Sequence, residues 1–239
     1  MPEPSRPSRR HPLVGIVGGM GPLASSELVR TVYSACLDRP EQETPRVLLW
    51  SDPRIVDRTA AIEGGALDEL RRPVESAVRG LVDAGARRIV IACVTAHCVL
   101  ADLPPDLQDC CVSLVDIIHE ALRTSGEPHL VLCTKGTAQS GLLSRGAGAD
   151  VKSLLVELSP DHQEVLHEEI YRVKRGGDPT RAADVVRGVL AAHGVPRFVA
   201  ACSDLHLVTR VMGRAGWSAE YPMIDPLAIV ARRIATGEL

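Results

Sequence analysis

The residues best suited to chemistry occur in two copies of one short pattern. Each copy contains a glycine turn, a short apolar run and then Ala-Cys-x-x-x-His, which pairs Cys93 with His97 and Cys202 with His206. An apolar run of this length is typical of a strand buried in a parallel sheet. We therefore expect each cysteine at the carboxyl end of a strand, where open α/β sheets bind their ligands.

Two thiols in equivalent positions indicate acid and base chemistry at one site. If Cys93 and Cys202 face each other across a cleft, one can remove a proton from a carbon atom while the other delivers a proton to the opposite face. Inversion of a stereocentre requires that arrangement. If each cysteine begins a helix, the helix dipole and the free backbone amides would lower its pKa from about 8.5. The remaining cysteines are interpreted as small apolar packing residues; they are Cys36, Cys98, Cys110, Cys111 and Cys133.

The composition argues against several classes of protein. The 239 residues carry a net charge of −3, which is unfavourable for a nucleic-acid surface or a basic membrane patch. No stretch reaches the roughly 18 apolar residues of a membrane helix. Seven cysteines, an odd number without a Cys-x-x-Cys pair, predict free thiols in a reducing cytoplasm and no metal site. The Arg9-Arg10 pair does not indicate an export signal, because glycines interrupt the apolar segment that follows it.

A glycine turn follows the first predicted strand. The apolar residues 13–17 lead into Gly18-Gly19-Met20-Gly21-Pro22, and a helix is predicted over residues 23–32. The turn contains a partial dinucleotide-binding fingerprint, but the acidic residue expected about 20 residues later is not at that distance. We therefore favour a turn whose backbone amides hold a small anion.

Strands and helices alternate along the rest of the chain. Further strands are predicted at 47–50, before Cys93, at 112–115, at 130–133, before Cys202 and at 222–224. Further helices are predicted from Pro73, around Ile118 and Leu122, from Pro160, from Asp178 and from Asp225-Pro226 to the end of the chain. A long loop carries Asp57-Arg58-Thr59 and Gly64-Gly65, and a second turn of small hydroxyl-bearing residues spans 134–141.

These elements predict an α/β protein with two pseudo-symmetric lobes. Each lobe is a parallel sheet flanked by helices, and the active site lies in the cleft between the lobes. Residues 1–11 are polar and rich in proline, and are predicted to be a disordered tail. The first lobe is predicted to contain residues 12–111 and 218–239, and the second residues 112–217.

Several motifs together resemble those of the pyridoxal-phosphate-independent aspartate/glutamate racemase superfamily, and the resemblance is closest to aspartate racemases. The motifs are Val14–Pro22, Asp57-Arg58-Thr59, the Cys93 segment, Thr134–Gly141, Ile170-Tyr-x-x-Lys174, Cys202 and Asp225-Pro226. The resemblance implies a two-domain fold, catalysis without a cofactor, and one cysteine acting on each face of the α-carbon. It also implies an amino acid or another small carboxylate as substrate, and we expect a homodimer.

The resemblance also implies roles for residues around the two thiols. Arg58 and Lys174 would hold substrate carboxylates, as the planar fork of an arginine in a glycine-bearing loop suggests independently. The alternative is that both are solvated surface charges. The backbone of the glycine turn at Met20 and Gly21 would stabilise developing negative charge. Hydroxyl groups would hold the ammonium and carboxylate groups of the substrate; they belong to Thr95, Thr134, Thr137 and Ser203.

Both cysteine motifs depart from the pattern that the superfamily resemblance leads us to expect. Val94 stands where an asparagine normally follows the first cysteine, and Ser203-Asp204 replaces a Thr-Glu pair. We expect Val94 to line the substrate site, to make it drier beside Cys93 and to favour a ligand with an apolar group near the reacting carbon. Asp204 is placed to orient or activate Cys202.

Alternatives remain open at this stage. His97 and His206 either orient the thiols or are histidines that form structural hydrogen bonds at the start of a helix. The leading hypothesis is an amino-acid racemase. A related isomerase or lyase that acts on another carboxylated molecule is the second, and the Val94 departure favours it. A non-catalytic protein that binds small acids is the third, and the presence of both cysteines argues against it.

Overall fold

The computed structural model describes residues 12–239 and contains two parallel four-stranded sheets. The first contains β1 (Val14–Gly18), β2 (Val47–Ser51), β3 (Arg88–Ile91) and β4 (Cys111–Val112) in the order β2-β1-β3-β4. The second contains β5 (His129–Leu132), β6 (Leu155–Val156), β7 (Phe198–Ala200) and β8 (Met223–Ile224) in the order β6-β5-β7-β8. The two orders are equivalent, which confirms the predicted α/β fold with two similar lobes.

Helices flank both sheets. In the first half of the chain they are α1 (Pro22–Ser34), α2 (Arg58–Glu63), α3 (Leu67–Asp83), α4 (Pro105–Gln108) and α5 (Leu114–Ser125), with 3-10 helices at Glu41–Glu43 and Thr95–Asp102. In the second half they are α6 (Lys135–Ser140), α7 (Ala149–Lys152), α8 (Pro160–Lys174), α9 (Pro179–His193), α10 (Leu205–Arg214) and α11 (Pro226–Thr236). None of the helices in residues 12–239 has both the length and the apolar character to cross a membrane.

The core consists of aliphatic side chains on the central strands. All five residues of β1 are buried, as expected of a strand covered on both faces. One hydrophobic cluster joins the lobes and includes Ile16 of β1 and Val199 of β7, both fully buried. Two further clusters lie one in each lobe, around Ile89 of β3 and Leu130 of β5. This shared core holds the carboxyl ends of β3 and β7 near each other.

Three predicted elements were wrong in their bounds, and local capping explains two of them. The strand expected at 112–115 ends at Val112, because the Ser113 side chain accepts a hydrogen bond from the Asp116 amide and starts α5. The loop expected after Asp57 is partly helical, because the Asp57 carboxylate caps α2 by accepting from the Ala60 amide at 3.1 Å. Helix α3 begins at Leu67 rather than at Pro73, which lies inside it.

The predicted lobe boundaries stay a prediction. Strand β8 pairs with β7 in the second sheet, whereas α11 packs against α1 of the first half of the chain. The final segment, residues 218–239, therefore contributes to both halves. The predicted disordered tail, residues 1–11, lies outside the described residues.

Candidate active site

A narrow cleft lies where the segments that follow β1, β2, β3, β5 and β7 converge with α8. It is lined by Met20, Asp57, Arg58, Thr59, Cys93, Thr95, Thr134, Tyr171, Lys174, Cys202, Ser203 and Asp204. The cavity volume is about 10 Å³, which is close to the minimum that one water molecule requires. The side chains therefore contact one another closely in this conformation, and an amino acid would need a wider cleft.

Both predicted catalytic cysteines line this cleft. Cys93 follows β3 and Cys202 follows β7, the equivalent strands of the two sheets, and their exposed fractions are only 4% and 6%. Burial raises the pKa of Cys202 far above its ordinary value, and the negative charge of Asp204 raises it further. The expected lowering of this pKa by a helix dipole is therefore wrong, because α10 begins only at Leu205 and the sulfur is withdrawn from water.

Arg58 is a buried cation beside Cys93. Its guanidinium donates hydrogen bonds to the backbone carbonyls of Val56 at 3.1 Å and Met20 at 3.2 Å. Burial lowers the pKa of Arg58, but its interactions with the Cys93 side chain and the Asp57 carboxylate outweigh this effect and raise the pKa overall. A guanidinium in this position stabilises negative charge on the neighbouring sulfur or on a substrate carboxylate.

Lys174 lies between two carboxylates. Its ammonium nitrogen is 3.9 Å from Asp204 Oδ2 and 4.0 Å from Asp57 Oδ2, so that it links the segment after β7 to the segment after β2. Its side chain is 18% exposed, which argues against the alternative of a solvated surface charge. With Arg58, the cleft therefore contains two cations and two carboxylates.

Asp204 is buried, and part of its hydrogen-bonding capacity is unused. Its Oδ2 lies 3.8 Å from the Cys202 sulfur, while its Oδ1 has no hydrogen-bond partner among the described residues. Burial raises the pKa of Asp204. Gly21, at φ 124°, makes room for this carboxylate, since a Cβ there would lie 2.4 Å from Oδ1. Gly21 thus shapes the site from behind Asp204 and does not itself line the cleft.

Three residues that line the cleft were absent from the predicted set, namely Asp57, Thr59 and Tyr171. The Tyr171 hydroxyl donates to the Asp57 carboxylate, with both oxygens at 2.8 Å, and burial raises the pKa of Tyr171 to about 12. The Lys174 ammonium lies 4.2 Å from the centre of the Tyr171 ring. Asp57 and Thr59 flank Arg58, and Tyr171 lies in the same motif as Lys174. The motifs that predicted Arg58 and Lys174 could therefore have identified these three residues as well.

Three threonine hydroxyls connect the two halves of the site. Thr95 Oγ1 and Thr137 Oγ1 are 2.7 Å apart, and Thr134 Oγ1 and Thr137 Oγ1 are 3.2 Å apart. Thr95 and Thr134 line the cleft together with Ser203, whereas Thr137 lies behind them. Thr137 therefore holds two hydroxyls that face the cleft.

The two histidines of the repeat form structural hydrogen bonds and do not contact the thiols. His97 Nε2 accepts from the Leu114 amide at 3.0 Å, and its Nδ1 donates to the Cys93 carbonyl at 2.9 Å. Burial lowers the pKa of His97, which agrees with a neutral ring. His206 bridges Asp225 at 2.6 Å and the Thr31 hydroxyl at 2.9 Å. Both rings fix the backbone that follows a cysteine.

The expected position of Val94 is wrong. Its side chain is fully buried in the hydrophobic cluster that joins the lobes, with Leu114 and Cys133, and it does not line the cleft. The helical backbone at Val94, with φ −61° and ψ −47°, starts the turn of the 3-10 helix that follows. The valine therefore does not dry the wall beside Cys93, and it no longer favours a different reaction.

Comparisons with known proteins agree with this fold. A family model described as Asp/Glu/Hydantoin racemase matches residues 17–234. The broad specificity amino-acid racemase RacX of Bacillus subtilis is 23% identical over 233 residues, covering 92% of this chain and 95% of the relative. The solved structure of Picrophilus torridus aspartate racemase has a TM-score of 0.78 at 24% identity and covers 94% of both chains. An aspartate racemase homologue from Pyrococcus horikoshii has a TM-score of 0.68 at 18% identity, with coverage of 95% and 99%.

Proposed function

Since the chain belongs to the Asp/Glu/Hydantoin racemase family, we propose that it racemises a small amino acid without a cofactor, with Cys93 and Cys202 as the two acid–base groups. Racemases are isomerases, and membership of the family fixes this broad class. The observation that carries the specific proposal is that the two thiols follow equivalent strands and line one narrow cleft. The other residues of the cleft supply paired charges and hydroxyls suited to an amino acid.

In the proposed reaction, the Cys93 thiolate removes the α-proton. The C–H bond breaks, an S–H bond forms at Cys93, and the electron pair moves into the substrate carboxylate. Arg58 stabilises the resulting negative charge, since a cation held in a dry site interacts strongly with it. The Cys202 thiol then donates its proton to the opposite face of the carbon atom, and the two cysteines exchange roles for the reverse reaction.

The raised pKa of Cys202 and the position of Arg58 support this starting arrangement. Burial and the Asp204 charge keep Cys202 protonated, as a proton donor must be. The Arg58 guanidinium beside Cys93 stabilises a thiolate. A single inversion needs one proton donor and one base, and in this proposal Cys202 is the donor and Cys93 the base.

The charges of the cleft also bear on the substrate. Arg58 and Lys174 are balanced by Asp57 and Asp204. A zwitterionic amino acid adds no net charge to this set, whereas aspartate or glutamate adds one negative charge. To hold a second carboxylate, Lys174 must exchange at least one of its carboxylate partners for the substrate. We propose aspartate and glutamate as the first substrates to test, with neutral amino acids beside them.

The test is α-proton exchange. Purified protein is incubated in D₂O with the L and D forms of aspartate, glutamate and several neutral amino acids, and NMR follows the loss of the α-proton signal. Exchange with inversion is expected without pyridoxal phosphate. Cys93→Ala and Cys202→Ala should abolish inversion, while Cys36→Ala, a buried cysteine outside the cleft, should retain it.

Two outcomes would contradict the proposal. Full inversion by Cys202→Ala in both directions would show that the reaction does not need two thiols. Silence on every amino acid, combined with a rise in Tm on ligand addition, would favour a non-catalytic protein that binds small acids.

The assembly and the compartment are also proposals. All seven cysteines are free, which supports a reducing compartment such as the cytoplasm. A homodimer is supported by exposed apolar side chains such as Leu37, 87% exposed, and Trp50, 42% exposed. Light scattering coupled to size-exclusion chromatography measures the mass directly, and a monomer at micromolar concentration would refute the dimer.

A further inference from the structure

A cavity much larger than the catalytic cleft lies in the second lobe. Its volume is about 430 Å³, within the range of pockets that bind small molecules. Its walls include four aliphatic side chains, Val131, Leu143, Leu155 and Leu158. Such a wall favours an apolar group of the ligand.

The cavity arises from a difference between the two lobes. In the first lobe, β1 and β2 are connected through one continuous helix of 13 residues, α1, which packs against both strands. In the second lobe, β5 and β6 are connected through α6 and α7, which have only 6 and 4 residues. Gly141 and Gly146, at φ 60° and φ 75°, turn the chain between them. The shorter helices cover less of the second sheet, and the uncovered part forms the cavity.

Two opposite charges also line this cavity. Lys152 and Glu157 are both exposed, and neither has an ion-pair or side-chain hydrogen-bond partner within residues 12–239. By contrast, the neighbouring Lys135 is paired with Glu164. An ammonium and a carboxylate that are both available match the two charged groups of a zwitterion.

We propose that this cavity is a second binding site, which takes an amino acid with a large apolar side chain. The side chain would occupy the aliphatic interior, the carboxylate would meet Lys152 and the ammonium would meet Glu157. The site is distinct from the catalytic cleft, whose lining residues it does not share.

A ligand bound in the cavity would affect the catalytic cleft through one segment of the chain. Cys133, Thr137 and Ala138 form part of the cavity wall. The Thr137 hydroxyl bonds to Thr95 and Thr134, and both of these line the catalytic cleft. A ligand in the cavity would therefore restrain two hydroxyls of the catalytic cleft and change turnover. This regulatory part rests on the proposed racemase function, whereas the binding part does not.

Binding is tested by isothermal titration calorimetry with a Cys93→Ala/Cys202→Ala variant, so that no ligand is turned over. The probes are L-phenylalanine, L-leucine, the dipeptide Leu-Phe and, as the competitor for the catalytic cleft, L-aspartate. We expect phenylalanine to bind with one site per chain whether or not aspartate is present. Leu155→Trp, whose larger side chain would occupy part of the aliphatic interior, should weaken this binding strongly, and Glu157→Gln should weaken it about tenfold. Glu168→Gln, an exposed residue of α8 outside the cavity, is the matched control and should bind normally.

Each result decides the inference. The inference is overturned if no apolar probe binds at millimolar concentration. It is also overturned if aspartate displaces phenylalanine, or if both Leu155→Trp and Glu157→Gln leave phenylalanine binding unchanged. Tighter binding of the dipeptide would retain the site and assign it to short apolar peptides. Since Leu155→Trp can disturb folding, its melting curve is compared with that of the parent, and Glu157→Gln provides the second test. If the parent protein shows no α-proton exchange but the binding results are as expected, the racemase function is refuted and the second binding site is still supported.

Discussion

Replacement of Asp204 by asparagine isolates the electrostatic control of Cys202. The carboxylate lies 3.8 Å from the sulfur, is 1% exposed and raises the pKa of that thiol, while Lys174 acts in the opposite direction. The asparagine keeps the size and much of the shape of the side chain but removes its charge. The pKa of Cys202 should therefore fall in Asp204→Asn, because the thiolate no longer faces a neighbouring anion.

The expected magnitude follows from the separation. Two unit charges about 4 Å apart interact by about 4 kcal/mol at an effective dielectric constant of about 20. This energy corresponds to about three pH units at about 1.4 kcal/mol per unit. The Lys174 cation, which acts in the opposite direction, reduces the effect, and we expect the titration midpoint of Cys202 to fall by at least about one pH unit.

The assay is the ultraviolet absorbance of the thiolate as a function of pH. The Cys202 contribution is the difference between Asp204→Asn and Asp204→Asn/Cys202→Ala, and circular dichroism checks that both proteins stay folded. Asp57→Asn removes a carboxylate from the other side of Lys174 and is the matched control, with a much smaller change expected. A midpoint of Cys202 that is the same in Asp204→Asn and in the parent would refute the reasoning.

Three further predictions concern substrate binding, acid stability and the core. Arg58→Ala or Lys174→Ala should raise KM for dicarboxylates about tenfold to a hundredfold, since a charge-assisted pair contributes about 1.5–3 kcal/mol; steady-state kinetics would refute this with an unchanged KM. Asp225 is buried, which opposes its ionisation, but His206 helps to lower its pKa overall. Its contribution to stability is therefore present above the unfolded-state pKa of about 3.9 and is lost as the pH falls through the lower folded-state pKa. Asp225→Asn should lower the free energy of unfolding at pH 7 by about 3–5 kcal/mol. It should also weaken the dependence of that free energy on pH below about 4, as measured by urea titrations. The same pH dependence in the variant and the parent would contradict this. Val94→Asn should lower the free energy of unfolding by about 1–3 kcal/mol without raising kcat/KM, because the amide enters an apolar cluster. A rise in kcat/KM would indicate instead that this residue contacts the substrate.

The repeat in the sequence predicted that the two thiols follow equivalent strands. Equivalent patterns around Cys93 and Cys202 predicted equivalent strands, and β3 and β7 have the same place in their sheets. Parallel strands of one sheet end on one edge, which places each cysteine at the carboxyl edge of its own sheet. That the two edges face each other depends on how the lobes pack, which the shared core sets. Equivalent repeats that each place a cysteine after a strand therefore favour a shared cleft.

The environment of the thiols could not be predicted in the same way. The pKa of Cys202 depends on how deeply the sulfur is buried and on the Asp204 carboxylate, and both are properties of the folded chain. The contact between Asp57 and Tyr171 joins residues far apart in sequence, so that no local pattern predicts it. Helix boundaries failed for a different reason, since Ser113 and Asp57 act as caps that periodicity alone does not reveal.

Val94 shows why the neighbour of a proposed catalytic residue need not belong to the site. Where the strand passes into a helical turn, successive side chains point in different directions, so Cys93 faces the cleft while Val94 enters the core. There it packs in the same cluster as Cys133, the residue that precedes Thr134. A substitution at Val94 would thus act on the substrate only indirectly, through the position of the threonine hydroxyls. The choice of substrate is then left to the groups that line the cleft, and above all to whether Lys174 exchanges a carboxylate of the protein for one of the ligand.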